Sequence, residues 1–298
     1  MKRLTVVVLF LLGIVSASAA PAPVVFRVPC IDAMTDFHGE PAGADLVVFV
    51  SGNEWFAVPR ILAAFQRAHP EVRKVFYETL PPGVLAQQMH TGGAIKVGEF
   101  TLRVQPDVYI SGKRRMRLEE SEGVVEPSVT FASNVLGIIV KDGNPKHIRS
   151  LSDLQRADVR VAMPNPGTEG IARQIELAYK KTGGDTLNHT IMVTKLHNGT
   201  TMLTSIHHRE SPMWILEGKA DAGPVWISEA LYQERIHSGI MAIRIPDRDN
   251  ASGLYLAAVV KRAAHERAAH AFTSFLTSPE AQAIYRSYGF SPAISTEE

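Results

Sequence analysis

The 298-residue chain is 45% hydrophobic and 20% charged, a balance that supports a sizeable buried core and argues against disorder over most of its length. Its 31 Lys and Arg face 30 Asp and Glu, a formal charge of +1, so it lacks the basic excess that a nucleic-acid partner favours. One cysteine excludes an internal disulfide framework and any multi-cysteine zinc or iron–sulfur site.

Lys2 and Arg3 precede an apolar run from Leu4 to Val15, and the small residues Ser16 to Ala20 follow. This is the pattern of a cleavable signal peptide over residues 1–19, with Ala17-Ser18-Ala19 as the simplest cleavage site. The run is shorter than the roughly 20 apolar residues a membrane span needs, and no other stretch approaches that length. No stable membrane insertion is expected. Cleavage removes two positive charges and no negative one, leaving 29 basic against 30 acidic residues and a mature charge of −1. Cys30 follows Arg27-Val28-Pro29 and not a small-residue lipobox, which speaks against lipid attachment and for an inert thiol. An exported chain with one cysteine must be held by its core and not by crosslinks.

Residues 20–45 show no clear period and read as an extended leader. Leu46–Val50 is then a continuous apolar strand ending at the turn Ser51-Gly52-Asn53. Trp55, Val58, Ile61, Leu62 and Phe65 follow at helical spacing, and that helix stops before His69-Pro70. A strand from Val72 to Tyr77 meets the breaker Pro81-Pro82-Gly83, a helix begins over Val84–Met89, and Asp107–Ile110 is a third strand. The alternation recurs with a strand at Val135–Val140, a short helix from Ser150 and a strand at Val159–Met163. The turn Pro164–Thr168 then leads to a helix carrying Ile171, Ile175, Ala178 and Tyr179, which ends near Gly183-Gly184. A helix over Met213–Glu217 precedes Asp221–Trp226, which reads as a strand edge. The last helix has Ser278 as N-cap, Pro279 at its first position, Glu280 in its first turn and Gly289 as its stop. Strands alternating with helices, several of them uniformly apolar, predict an α/β fold with mainly parallel sheets.

Enzyme motifs are lacking. There is no G-x-S-x-G elbow, Walker A loop or dinucleotide fingerprint. His265-Glu266 and His270 look like a zinc-protease motif, but their histidines are five apart and about 140° apart on a helix, so they form a solvated face. Three Asn-x-Ser/Thr sequons, at Asn188, Asn198 and Asn250, are read as chance occurrences.

Several ordered segments carry a family resemblance. They include Val48–Asn53, Leu85–Gln88, Pro106–Ser111, Leu136–Val140 with Gly143-Asn144-Pro145, and Arg160–Met163 through Gly167 to Ala172. The most specific are Gly218-Lys-Ala-Asp-Ala-Gly223 and Phe275-Leu-Thr-Ser-Pro-Glu-Ala-Gln-Ala283 with Tyr288-Gly289-Phe290. Over roughly residues 46–292 the chain resembles the periplasmic solute-binding proteins of ABC importers, type II class, and the molybdate-binding group in particular. The resemblance implies two α/β lobes joined by two crossing hinge strands, with ligand between them. Lobe I would be 46–131 plus 248–298, and lobe II 132–247. It implies a monomer without cofactor or resident metal, located in the periplasm, which captures a small anion, hands it to an ABC permease and catalyses nothing. Helix N-termini suit an anion without a net positive charge, and lobe closure is a motion a transporter can sense.

Mapped residue by residue, the resemblance places ligand contacts at Ser51, Gly52 and Asn53, the last aligned with a family serine. Pro82-Gly83 replaces a serine-rich turn and leaves only the backbone N–H of Gly83. Thr168 and Ile171 occupy the third such turn. His208 falls where the family offers a backbone amide, with Arg209 beside it, and both are candidate charged donors. Trp226 replaces a family tyrosine; its indole N–H can donate, or it can be core. Glu54, Glu78, Glu169 and Glu210 flank these loops and would repel a dianion in a dry cleft; with His208 or His90 they could instead ligate a metal. A sensor or accessory module of the same fold, and a metal-binding protein, are the competing readings.

Overall fold

The computed structural model describes residues 24–26, 36–97, 99–205 and 207–293. The predicted signal peptide, much of the predicted leader and Cys30 lie outside the described residues. Two short pieces of the leader are strands: β1 (Val24–Phe26) and β2 (Phe37–His38).

β3 (Leu46–Phe49) is buried at every position, as expected of a strand covered on both faces. It feeds a 3₁₀ turn at Gly52–Glu54 and then α1 (Val58–Ala68), which turns Ile61, Leu62 and Phe65 inward and ends before Pro70. β4 (Val75–Glu78) leads to α2 (Pro82–His90), which opens on a proline that has no N–H to leave unsatisfied. The hairpin β5 (Ala94–Val97) and β6 (Phe100–Arg103), β7 (Val108–Gly112) and α3 (Lys113–Ser121) follow. β8 (Val129–Lys141) is thirteen residues long, more than twice the apolar stretch Val135–Val140 legible in sequence.

β9 (Val161–Met163) precedes α4 (Ile171–His189), whose regular geometry breaks at Gly183 and Gly184, where the sequence predicts the helix to end. α5 (Lys195–His197) and β10 (Thr201–Leu203) come next. α6 spans Glu210–Leu216, three residues earlier than predicted, so His207–Arg209 sit immediately before it. β11 (Ala222–Trp226), α7 (Ile227–Arg235), β12 (Ile240–Arg244), β13 (Ser252–Val259), α8 (Glu266–Phe275), α9 (Pro279–Ser287) and β14 (Ser291–Pro292) complete the chain.

Among the described residues, eleven strands form one mixed sheet along the path β10-β9-β11-β8-β13-β7-β3-β4-β2, with β12 and β14 also on β8. The strand–helix units give the parallel pairs β3–β4, β3–β7 and β9–β10. β11 is not an edge: it lies between β9 and β8, because its apolar residues are covered on both faces. β8 and β13 are the antiparallel links. The first part of β8 pairs with β13, and the second pairs with β11 and β12. The register of β8 against β13 shifts between Tyr255 and Leu256, where Phe131 is the extra residue of a bulge.

The fold is thus α/β and two-lobed. One core sandwiches β3 between Phe65, Phe272 and Tyr285 on one face and Phe76, Leu85 and Tyr109 on the other. The other buries Ile138, Val161, Ile175 and Tyr179 against one face of the sheet and Ile139, Val225 and Ile227 against the opposite face. α9 is capped as predicted, Ser278 Oγ accepting from Ala281 N at 3.2 Å. Ser278→Ala is expected to lower stability by about 1 kcal/mol, measurable as a lower urea midpoint at an unchanged slope.

Candidate functional site

The turn after β3 supplies the first wall. Ser51 Oγ donates to Ile110 O at 3.2 Å, so its hydroxyl is spent inside the sheet. Gly52 has no side chain because none fits: a Cβ there would lie 2.8 Å from Thr79 O and 3.3 Å from the His207 ring. Asn53 is buried and its side-chain amide donates to the Tyr255 hydroxyl. Gly83, in the first turn of α2, faces Thr168 O from the other half of the molecule; a Cβ would be 3.7 Å away.

The second wall comes from the loops after β9 and β10. Thr168 is exposed and its N–H closes a turn onto Asn165 O, while Ile171 is buried in the core beneath α4. His207, His208 and Arg209 are all buried. Arg209 reaches across the junction of the two halves: its Nη2 donates to Asp36 Oδ1 at 2.6 Å and to Thr79 O at 3.2 Å, and lies 2.9 Å from His207 Nε2. Thr79 Oγ1 also donates to Asp36 Oδ1, at 3.2 Å.

His208 is clamped. Its Nδ1 donates to Glu169 Oε2, its Nε2 to Glu229 Oε2 at 2.8 Å, and its backbone N–H to Glu169 Oε2 at 2.8 Å. Burial alone would favour the neutral ring, but the two carboxylates outweigh it and push the pKa up to about 10. Sequence offers His208 as a charged donor; the structure favours the imidazolium at neutral pH but commits both ring N–H groups to carboxylates. Burial likewise tends to raise Glu169, yet the His208 charge and the hydrogen bonds from His208 and Thr204 hold it below its ordinary value. Asp36 follows the same rule, with the His207 hydrogen bond and the Arg209 charge overcoming desolvation.

Of the four flanking glutamates, all are buried. Glu169 belongs to the His208 clamp, and Glu210 accepts from Ser205 N through its Oε2. Glu54 accepts from the Tyr285 hydroxyl at 2.9 Å and Glu78 from Gln88 Nε2 at 3.1 Å. Desolvation pushes both Glu54 and Glu78 up to about 8, so they are largely uncharged at neutral pH and repel an anion little. His90 joins none of these four; it lies at the end of α2 beside Glu119 and Glu122.

Trp226 is buried among Leu136, Ile245 and Ala251, its ring 6.1 Å from that of Tyr255. The indole fits because residue 253 is glycine; a Cβ there would stand 2.4 Å from Trp226 Cη2. A cavity of about 160 Å³ adjoins His208, Arg209 and Glu229 and is walled by Trp55, Phe56 and Tyr232. That is below the roughly 300 Å³ at which drug-sized ligand sites begin, so it suits a small solute.

Sequence reading did not single out Asp36, Thr79, Glu229 or Tyr255. Glu229, three residues past Trp226, was the most accessible of them, although an acid in the first turn of a helix usually signifies only a complement to the helix dipole.

Residues 46–291 match the bacterial extracellular solute-binding protein family. The molybdate-binding protein ModA of Mycobacterium tuberculosis is 27% identical over 232 residues, 76% of this chain and 81% of that protein. The structure of the sulfate-binding protein SubI from Mycobacterium tuberculosis superposes with a TM-score of 0.64 at 26% identity, over 84% of this chain and 86% of the other. The periplasmic molybdate-binding protein of Azotobacter vinelandii shares the fold, with a TM-score of 0.65 at 16% identity over 82% and 98%. With the family match spanning most of its length, the chain belongs to the bacterial extracellular solute-binding protein family.

Proposed function

We propose that this protein is the periplasmic binding component of an ABC importer, exported by its N-terminal signal, monomeric and non-enzymatic. It captures a small oxyanion between lobe I, residues 46–131 with 248–298, and lobe II, residues 132–247, and delivers it to a permease. The carrying observation is Arg209: a buried guanidinium at the junction of the halves, with the carboxylate of Asp36 seated on it. One carboxylate oxygen, Asp36 Oδ1, already accepts from Nη2, and an oxygen of a tetrahedral oxyanion is an acceptor of the same kind. The names of the relatives, molybdate-binding and sulfate-binding, support the ligand class.

The candidate contacts are Ser51, Gly52, Asn53, Gly83, Thr168, Ile171, His208, Arg209 and Trp226. Arg209 has the clearest means of engaging an anion directly. His208 contributes its charge, because both ring N–H groups are already given to carboxylates. The same geometry disfavours a metal at His208, where no nitrogen lone pair is left to bind one.

Calorimetric titration of the tag-free mature protein with molybdate, tungstate, sulfate, thiosulfate and phosphate tests the reading. One-to-one binding of at least one of them is expected, and silence from every oxyanion would overturn the proposal.

A further inference from the structure

We propose that His90, Glu119 and Glu122 form a binding site for a divalent transition-metal ion of the zinc class, where the ends of α2 and α3 meet. The site is separate from the junction between the lobes and does not depend on which solute binds there. His90 Nε2 lies 2.8 Å from Glu119 Oε2 and 3.4 Å from Glu122 Oε2, and the three ligand atoms all fall within 4.8 Å of one another. Zinc bonds of about 2.0–2.2 Å in tetrahedral geometry separate neighbouring ligand atoms by roughly 3.4 Å. One pair therefore stands at the required spacing already, and the other needs to open by about half an ångström.

The donor chemistry selects the metal. One imidazole with two carboxylates suits zinc and its neighbours better than magnesium or calcium, which favour oxygen alone. Glu119 is the observation that points to an absent ligand. Its side chain is fully buried; Oε2 faces His90, and Oε1 of the same carboxylate has no hydrogen-bond partner among the described residues. Arg115 Nη1 stands off at 3.6 Å, on a side chain exposed enough to turn away. His90 and Glu122 are each nearly half exposed, so the site has an entrance and room for water as a fourth ligand. His90 belongs to the last turn of α2, Glu119 to the last turn of α3, and Glu122 is the residue that caps α3 at its C-terminus. Two helix C-termini thus direct their partial negative charge at the same place, which favours a cation.

Calorimetry of the chelator-treated, tag-free mature protein with Zn²⁺ alone is the test, with Co²⁺ absorption reporting coordination geometry. The wild type should take up one Zn²⁺, and His90→Ala should weaken it by at least about 100-fold, since losing even an outer partner of a metal ligand costs 10–100-fold. His270→Ala, in the other His/Glu cluster, with Glu126 and Glu266, should leave it unchanged. Circular dichroism in chelator controls for folding. If His90→Ala is misfolded, Glu122→Gln on the exposed rim should also weaken Zn²⁺. Equal Zn²⁺ binding by the wild type and the folded variant, or none by the wild type, would overturn the proposal.

Discussion

Arg209→Ala is expected to abolish oxyanion binding and to destabilise the protein by about 3–5 kcal/mol, the usual cost of stripping one partner from a buried ion pair. The cost arises because Asp36 stays behind, buried and charged, and Thr79 O loses a donor. Asp36→Asn should move the two measurements apart. It also weakens the fold, since Arg209 loses its counter-ion. Binding, however, should tighten at least about tenfold, because the incoming anion no longer competes with an internal carboxylate; coupling across close charge pairs readily reaches that size. Urea melts and calorimetric titrations of both variants separate the outcomes. Affinity that falls in Asp36→Asn would make Asp36 part of the scaffold and not a substitute for the ligand.

Thermal stability should decline as pH rises from 5.5 to 8. Glu54 and Glu78 have pKa values near 8 in the native protein against an ordinary 4.5. Between those values the folded state holds two protons that the unfolded chain has released. Their contribution is complete below about 4.5 and is lost as pH climbs through 8. His208 adds the same trend in a higher window, from its ordinary 6.5 to about 10. Asp36 and Glu169, held low by their cationic partners, act oppositely, and their contribution is lost as pH falls through their depressed values. A maximum on the mildly acidic side follows, with a drop on the order of a few kcal/mol by pH 8. Melts at the two pH values check it, and Glu54→Gln should flatten the slope. A melting temperature that stays level or rises between pH 5.5 and 8 would show that these glutamates are ionised in the fold.

Elements with strong local chemistry were legible from the residues alone. The uniformly apolar Leu46–Phe49 announces a strand buried on both faces, Ser278-Pro279 a capped helix start, and Gly183-Gly184 a break. The first half of β8, Val129–Asn134, was not legible, because it mixes Thr, Ser and Asn with apolar residues and owes its pairing to β13, more than a hundred positions downstream. The same holds for the site. His208 and Arg209 stand out as a basic pair beside an apolar helix. Their partners Asp36, Glu169 and Glu229 come from three separate stretches, and Asp36 lies in a segment without periodicity. Sequence offers the cations; tertiary structure decides that each is already answered by a carboxylate, so that under the proposed function solute and protein would compete for the same charge.

β8 bears on how such a competition could be reported to the outside. It runs unbroken from one core into the other, so relative movement of the halves need not rupture a ladder bond and can be taken up as torsion in β8 and β13. The Phe131 bulge lies on this torsion element, opposite the step from Tyr255 to Leu256, and the Tyr255 hydroxyl holds Asn53. Winding or unwinding the pair would shift that hydroxyl relative to the turn after β3. Backbone twist in the pair would thus reach the turn after β3 through a single side-chain hydrogen bond, as a dial turns with its spindle.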